Sequence, residues 1–415
     1  MVTQPTNAKQ EPAMVTAEFN PFAPGMLADP YAMYRALREQ APIYRSEMME
    51  SWILTRYDDI DAVLTDSRFS SDRTRAKTRF AQMIREQQEQ YGPMSSAQTM
   101  LTSDPPDHTR LRRLVSKAFT PRAVENLRPR IQEIVDYLLD EAGKSGEFDI
   151  IHELAYPLPV IVIAEMLGVP AEDRHRFKEW SDTVVATLGG PFTPPEVMEA
   201  GRRAIDELGE YFGHIIAARR AEPKEDLISG LIAAEEGGQV LSEDEIFATC
   251  ILLLIAGNET TTNLIGTSML ALFRNPDQLE RLREDPALIS SAVEELLRYA
   301  GPVHGTGRVP KEDIEIAGHT FHEGEMVFTL LAAGNRDPTH YENPEQLDIG
   351  RNPTDHLAFG DGIHFCLGAP LARAEAQITI GTLLLRFPRL RLLDEEPEWG
   401  GTFIIRGPKR LTVAV

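Results

Sequence analysis

Cysteine is nearly absent: there are two in 415 residues, Cys250 and Cys366. Two thiols exclude a disulfide framework and a metal site built from clustered cysteines, and they fit a reducing compartment. They leave room for one cysteine with a special task. Basic residues are scarce as well. Lys and Arg number 42 against 64 Asp and Glu, a net charge of −22. That excludes ordinary nucleic-acid binding, which needs a basic footprint. Long apolar runs are missing too. The longest charge-free ones, such as residues 250–257, fall far short of the ~20 residues of a membrane helix. Residues 1–16 are polar and lack the apolar core of a signal peptide, so a disordered tail is expected there. The expected location is the cytoplasm.

What is present is ordinary globular composition, 42% hydrophobic and 26% charged, enough to bury a core and enclose a ligand. Periodicity predicts helices over residues 30–40, 107–118, 121–142, 152–167, 174–188, 195–220 and 242–274. The last opens on a capping box, Ser242-Glu-Asp-Glu245. A Gly-Gly-Pro break at 189–191 separates two of the others. Residues 43–45 and 52–55 read as a small hairpin. Residues 70–100, rich in Gln, Arg and Ser, read as a long functional loop. Beyond Gly301 short strands are expected at 314–316 and 326–330. An irregular stretch, 335–362, then leads to Cys366 and a final helix over 367–386. The fold class is mainly α with small β-sheets, in one domain over residues 17–415.

Cys366 lies in Phe359-Gly-Asp-Gly-Ile-His-Phe-Cys-Leu-Gly368. Gly360, Gly362 and Gly368 permit a tight loop and close backbone approach to a flat ligand. Cys366 stands where the final helix begins, so the dipole favours a thiolate and backbone N–H groups can bond its sulfur. The pattern Phe-Gly-x-Gly-x-His-x-Cys-x-Gly resembles the haem-binding signature of the cytochrome P450 family. The resemblance implies that Cys366 is the axial ligand to the iron of haem b. It also implies that His364 meets a haem propionate and that Phe359 packs beside the sulfur.

The long helix contains Ala256-Gly-Asn-Glu259-Thr260-Thr. Gly257 and three successive threonines, 260–262, are poor helix-interior residues, and Thr hydroxyls that bond the preceding turn bend a helix. Residues 252, 256, 259, 260 and 263 share one face. It carries Leu252, a small Ala256 that admits a flat ligand, then an acid and an alcohol. The segment resembles the acid–alcohol pair of the family's distal helix, which implies that Glu259 and Thr260 organise water and deliver protons. A haem sensor or carrier needs no such relay, and a peroxide-driven haem-thiolate peroxygenase looks different here. Cys250, on the other side of the helix, reads as a core hydrophobe.

Glu295 and Arg298, three apart, meet on one helix face. Alone they read as a surface ion pair. Beside the other motifs they resemble the family's buried Glu-x-x-Arg bridge, which supports the haem loop. A third member is expected from the irregular stretch, with Arg351 and His356 both candidates. Groups for two propionates are expected at His108 and Arg112, four apart at the edge of a buried face, and, by the resemblance, at Arg308. On the opposite side of that helix Arg110, Arg113 and Lys117 form a basic stripe, read as a docking face for an acidic ferredoxin.

The resemblance covers residues 29–415, with no anchor and no fused reductase. It implies a single-domain fold around a long central distal helix, acting as a monooxygenase. Electrons would come from NAD(P)H through a separate ferredoxin and ferredoxin reductase. One atom of O₂ would enter a lipophilic substrate: a fatty acid, terpenoid, steroid or polyketide. Pocket walls would include residues 70–100 and 184–192, Leu252, Ala256, Val303, His304, Thr306 and Ile404. His304 is the polar one; it bonds either a substrate oxygen or a partner in the core. The chain is expected to be a monomer.

Overall fold

The computed structural model describes residues 18–91, 99–187, 194–236 and 238–415. The expected tail at 1–16 and the break at 189–191 lie outside them. Fourteen helices run through the described residues: α1 (Tyr31–Gln40), α2 (Tyr57–Thr65), α3 (Arg79–Tyr91), α4 (Asp107–Ala118), α5 (Pro121–Ala142), α6 (Pro157–Met166), α7 (Arg174–Val185), α8 (Pro195–Ala221), α9 (Leu227–Ala233), α10 (Glu243–Arg274), α11 (Pro276–Glu284), α12 (Ile289–Ala300), α13 (Leu331–Gly334) and α14 (Ala369–Arg386). Helices dominate and the sheets are small, as expected.

The central element is α10, whose capping box forms. Ser242 Oγ accepts the Glu245 N–H at 3.2 Å, and Glu245 Oε2 accepts the Ser242 N–H at 2.8 Å. Three acids fill its first turn and Arg274 its last, which suits the helix dipole. From Thr261 to Leu272 every residue is buried, so this half is a core helix with no solvent face. It packs against α6, α7, α12 and α14.

The main sheet holds five strands in the order Ile43–Ser46, Ser51–Leu54, Met326–Thr329, Thr306–Pro310, Phe69–Ser70. The first two form the expected hairpin, with Ile43 opposite Leu54. Thr306–Pro310 lies antiparallel between Met326–Thr329 and Phe69–Ser70. This brings Ser70 and the turn after it alongside Arg308.

Residues 70–100 depart from the expected loop, because α3 forms there. Ala81 is buried and Met83 and Ile84 are half-buried, and Ala81 shares a small cluster with Ala76, Val309 and Met326. Glu50 accepts the Arg79 N–H at 2.8 Å and pairs with its guanidinium. A few apolar contacts and a carboxylate at the helix start outweigh a composition that reads as loop. Residues 92–98 lie outside the described ones.

Behind the Cys366 loop lie two buried ion networks. Glu295 and Arg298 are 0% exposed and doubly bonded, at 2.7 and 2.8 Å. Arg298 also donates to the carbonyls of Asn335, Pro344 and Gln346. Arg351 is the third member: its Nε reaches Glu295 Oε1 at 3.2 Å. His356 serves the neighbouring acid instead. It lies 3.2 Å from Glu294, which Arg373 also holds at 2.6 and 2.8 Å. Burial alone would raise the Glu294 pKa, but these two partners pull it down to about 2. A buried charge that loses its partner costs about 3–5 kcal/mol. Glu295→Ala should therefore lower the unfolding midpoint sharply, and Arg351→Ala, whose side chain is 19% exposed, much less. Equal losses in thermal unfolding would contradict this account of the network.

Candidate functional site

The cysteine loop is shaped by its glycines. Gly360 and Gly362 have φ of +70° and +67°, and a Cβ on Gly362 would come within 2.5 Å of the Leu64 carbonyl. The Cys366 N–H closes the loop by donating to Phe359 O at 3.0 Å. The Phe359 ring lies beneath the Arg373 guanidinium at 4.6 Å and beside Phe365 at 6.1 Å. Cys366 is exposed. Burial raises its thiol pKa, against the opposing pull of Arg112 and of the N–H groups of Gly368 and Ala369. A cation on the sulfur would favour the thiolate.

Beside this loop the protein gathers arginines and imidazoles. His108 is 2% exposed, and both of its ring nitrogens are buried without a hydrogen-bond partner. Its ring is 4.2 Å from that of His364, whose Nε2 lies 2.9 Å from Ser71 Oγ. Burial drives the His364 pKa down to about 3. Arg308, 5% exposed, donates to Gly307 O at 2.9 Å and Thr306 Oγ1 at 3.3 Å. Burial, then the charge of Arg73, lowers its pKa to about 10. Arg112 donates to Phe365 O. Arg73 was missed by sequence reasoning, because nothing in its local pattern separates it from Arg75 or Lys77. The nearby carboxylate, Asp104, already accepts from Ser70 Oγ at 2.6 Å and from the Ser71 N–H at 3.1 Å.

Three guanidinium groups and two imidazoles thus converge with one carboxylate in reach. Burying charge without a counter-charge is costly, so the cluster suits a ligand with carboxylates at that edge. No group of three or more His, Cys, Asp and Glu among the described residues is placed to hold a metal ion. A lone sulfur suits a metal that brings its other ligands with it. The donor set fits haem b: a soft axial ligand, a low glycine loop, and cationic groups for two propionates.

On α10, Ala256 is exposed and the Thr260 hydroxyl donates to its carbonyl at 2.6 Å. Burial raises the Glu259 pKa. Asn258 points elsewhere, bonding Ser181 of α7 at 3.1 Å. A second acid escaped sequence reasoning: Glu375 of α14 is buried, hydrogen-bonded to Thr261, and pushed by burial up to about 8. Its signal was an acid within a run of small and apolar residues.

A cavity of about 1400 Å³ opens nearby, with a mainly apolar wall that includes Phe22, Phe80, Met326, Phe328, Trp399 and Phe403. Thr306 and Ile404 line it, as does Ala186 from the expected 184–192 segment; residues 188–192 lie outside the described ones. Leu252 and Val303 are half-buried against core clusters. His304 requires a correction. It is 1% exposed, with Nδ1 3.0 Å from Tyr34 Oη and its N–H bonded to Ile404 O, so it belongs to the core rather than the cavity wall. The basic stripe requires another. Arg110 is paired with Glu245 at the start of α10, and Lys117, though exposed, donates to Glu235 O at 2.6 Å. Arg113 is exposed.

Residues 28–399 match the family model described as Cytochrome P450. Polyketide biosynthesis cytochrome P450 PksS of Bacillus subtilis (strain 168) is 41% identical over 406 residues, covering 96% of this chain and 98% of that protein. Its solved structure aligns with a TM-score of 0.87 over 95% of this chain and 99% of that one. P450BioI, solved with a hexadec-9Z-enoic acid-ligated acyl carrier protein, is 42% identical, with a TM-score of 0.84 over 94% and 99%. CYP109E1 of Bacillus megaterium, solved with testosterone, is 38% identical, with a TM-score of 0.83 over 93% and 99%. No helix among the described residues is long and apolar enough to cross a membrane.

The cationic cluster yields a prediction. Losing a hydrogen bond between charged groups costs roughly 1.5–3 kcal/mol. Arg308→Leu should therefore release haem about 10–100-fold faster, measured by transfer to a scavenger protein. A rate equal to wild type would contradict the cluster's role.

Proposed function

The chain belongs to the cytochrome P450 family, and from that premise we propose that it is a haem-thiolate monooxygenase with Cys366 as axial ligand. The observation that carries this reading is the buried, under-neutralised cluster beside Cys366. When bound, haem supplies the oxygen-activating chemistry. Cys366 would hold its iron, with Gly360 and Gly368 keeping bulk away from the loop and Phe359 beside the sulfur. His108, Arg112, Arg308 and His364 would hold its two carboxylates.

Ala256, small and exposed on α10, would leave room for a flat ligand. Thr260 gives its own proton to the Ala256 carbonyl, so its oxygen is free to accept from a water or a substrate hydroxyl. Burial raises the Glu259 pKa, and Glu259, one residue away, would serve as the proton donor. Together they would supply protons at the face of α10 that carries Ala256. Electrons reach the site from NAD(P)H through a ferredoxin and its reductase, docking near Arg113 and Lys117. The apolar cavity supports a lipophilic substrate, and the names of the relatives point the same way: a polyketide pathway, a fatty acyl chain, a steroid.

A positioned proton donor is typically worth ~10²–10⁴-fold in rate. Thr260→Ala should keep haem and substrate affinity but yield less product per NADPH, with the oxygen emerging as hydrogen peroxide. Glu259→Gln should slow turnover about 10²-fold or more and change the solvent isotope effect. Product per NADPH equal to wild type in Thr260→Ala would remove the relay. A sensor or carrier would consume no NADPH with substrate.

Charge reversal at Arg113 and Lys117 should slow reduction by ferredoxin most at low salt, since exposed charges are screened over about 10 Å at 0.1 M. Reduction rates unchanged at every salt concentration would exclude this docking face.

A further inference from the structure

We propose that the cavity takes an amphiphile with a free carboxylate, and that Arg73 is the specificity-determining residue that receives it; the monooxygenase reading is assumed for what then happens to that ligand. Arg73 opens a short 3-10 turn, Arg73–Arg75, fixed by Asp72 accepting the Thr74 N–H at 3.0 Å. From there its side chain lies across Gly307, where a Cβ would come 3.5 Å from its Nε. Among the described residues it makes one hydrogen bond, Nη2 to Thr306 Oγ1 at 3.1 Å. Its Nε is buried with no acceptor. Burial is what depresses its pKa, with no carboxylate set against it.

The charges of the cavity wall sharpen the point. Three charged residues line it: Glu50, Arg73 and Arg79. Glu50 and Arg79 neutralise each other at the rim. Among the described residues, Arg73 is left as the one uncompensated charge on the cavity wall. Arg308 shares Thr306 with it, but Arg308 is absent from the cavity wall and has Asp104 within electrostatic reach. In the reading above, His108, Arg112, Arg308 and His364 would hold the two carboxylates of the cofactor, which leaves Arg73, on the cavity wall, with no anion assigned to it. A neutral lipid filling the cavity would strip water from an unanswered guanidinium, which is unfavourable. A carboxylate would answer it with charge-assisted, potentially bidentate hydrogen bonds. Free acids with an apolar body therefore fit; sterols, neutral macrolides and thioester-bound acyl chains lack the matching charge.

The test is a binding titration of the haem-loaded protein, read from the Soret shift. The probes are medium- to long-chain fatty acids and their methyl esters. The acid should bind about 10–100-fold more tightly than its ester, the range expected of a charged hydrogen bond. Arg73→Gln should bring the ratio close to one, and Arg73→Lys should retain part of it. Haem content and unfolding midpoint are measured on the same variants, and Arg73→Lys carries the test if Arg73→Gln does not hold haem. The proposal is overturned if no acid in the series binds more tightly than its ester, or if the preference survives in the variants. Variants that shed haem while keeping the acid preference would overturn it too, by giving Arg73 to the cofactor's carboxylates. Acid-selective binding without NADPH-dependent product would leave this inference standing and sink the monooxygenase reading instead.

Discussion

Arginine charge with few matching carboxylates, set beside two imidazoles, governs the architecture around Cys366. Arg308 comes from a central strand, His108 and Arg112 from α4, His364 from the cysteine loop and Arg73 from the turn after an edge strand. No local rule of sequence draws these five together. The sheet does, by placing Thr306–Pro310 between Met326–Thr329 and Phe69–Ser70. Such a cluster is costly in isolation and is satisfied by anionic ligands, on the reading above the cofactor's carboxylates for four of the groups and a bound acid for Arg73, so binding and folding are coupled: whatever binds the folded state adds to its stability.

The scaffold behind the loop follows the opposite strategy. Glu295 with Arg298 and Arg351, and Glu294 with His356 and Arg373, are neutralised networks with their lone pairs and N–H groups matched. Buried networks of this kind tend to fix one arrangement of the chain more than they add stability. Here they pin the irregular stretch 335–362 to α12 and α14, and so fix where the next few residues place the sulfur.

Much of this was legible in the sequence because it is local. The glycine loop around Cys366 and the capping box of α10 each lie within one segment and show in local spacing, whereas the role expected of Glu259 and Thr260 came from the family resemblance. What could not be read depends on contacts far apart in the chain. His304 is a core residue because Tyr34, 270 positions away, meets its Nδ1. Arg110 leaves the expected docking stripe because Glu245 lies across from it. Arg351 and His356 stand in the same irregular stretch, and only the fold decides which acid each one meets. Arg73 looks like its basic neighbours until Gly307 and Thr306 are placed beside it. Helix α3 was hidden by composition, since its support comes from Glu50 and a few apolar contacts rather than from a strong periodic stripe.

The most direct test of the central claim is the absorption spectrum of the reduced, carbon-monoxide-bound protein in wild type, Cys366→Ser and Cys250→Ser. Thiolate ligation by Cys366 predicts a strongly red-shifted Soret band in wild type and in Cys250→Ser, where the residue changed is buried in the core, and loss of that band in Cys366→Ser. A red-shifted band that survives in Cys366→Ser, or one absent from the wild-type protein, would contradict the account.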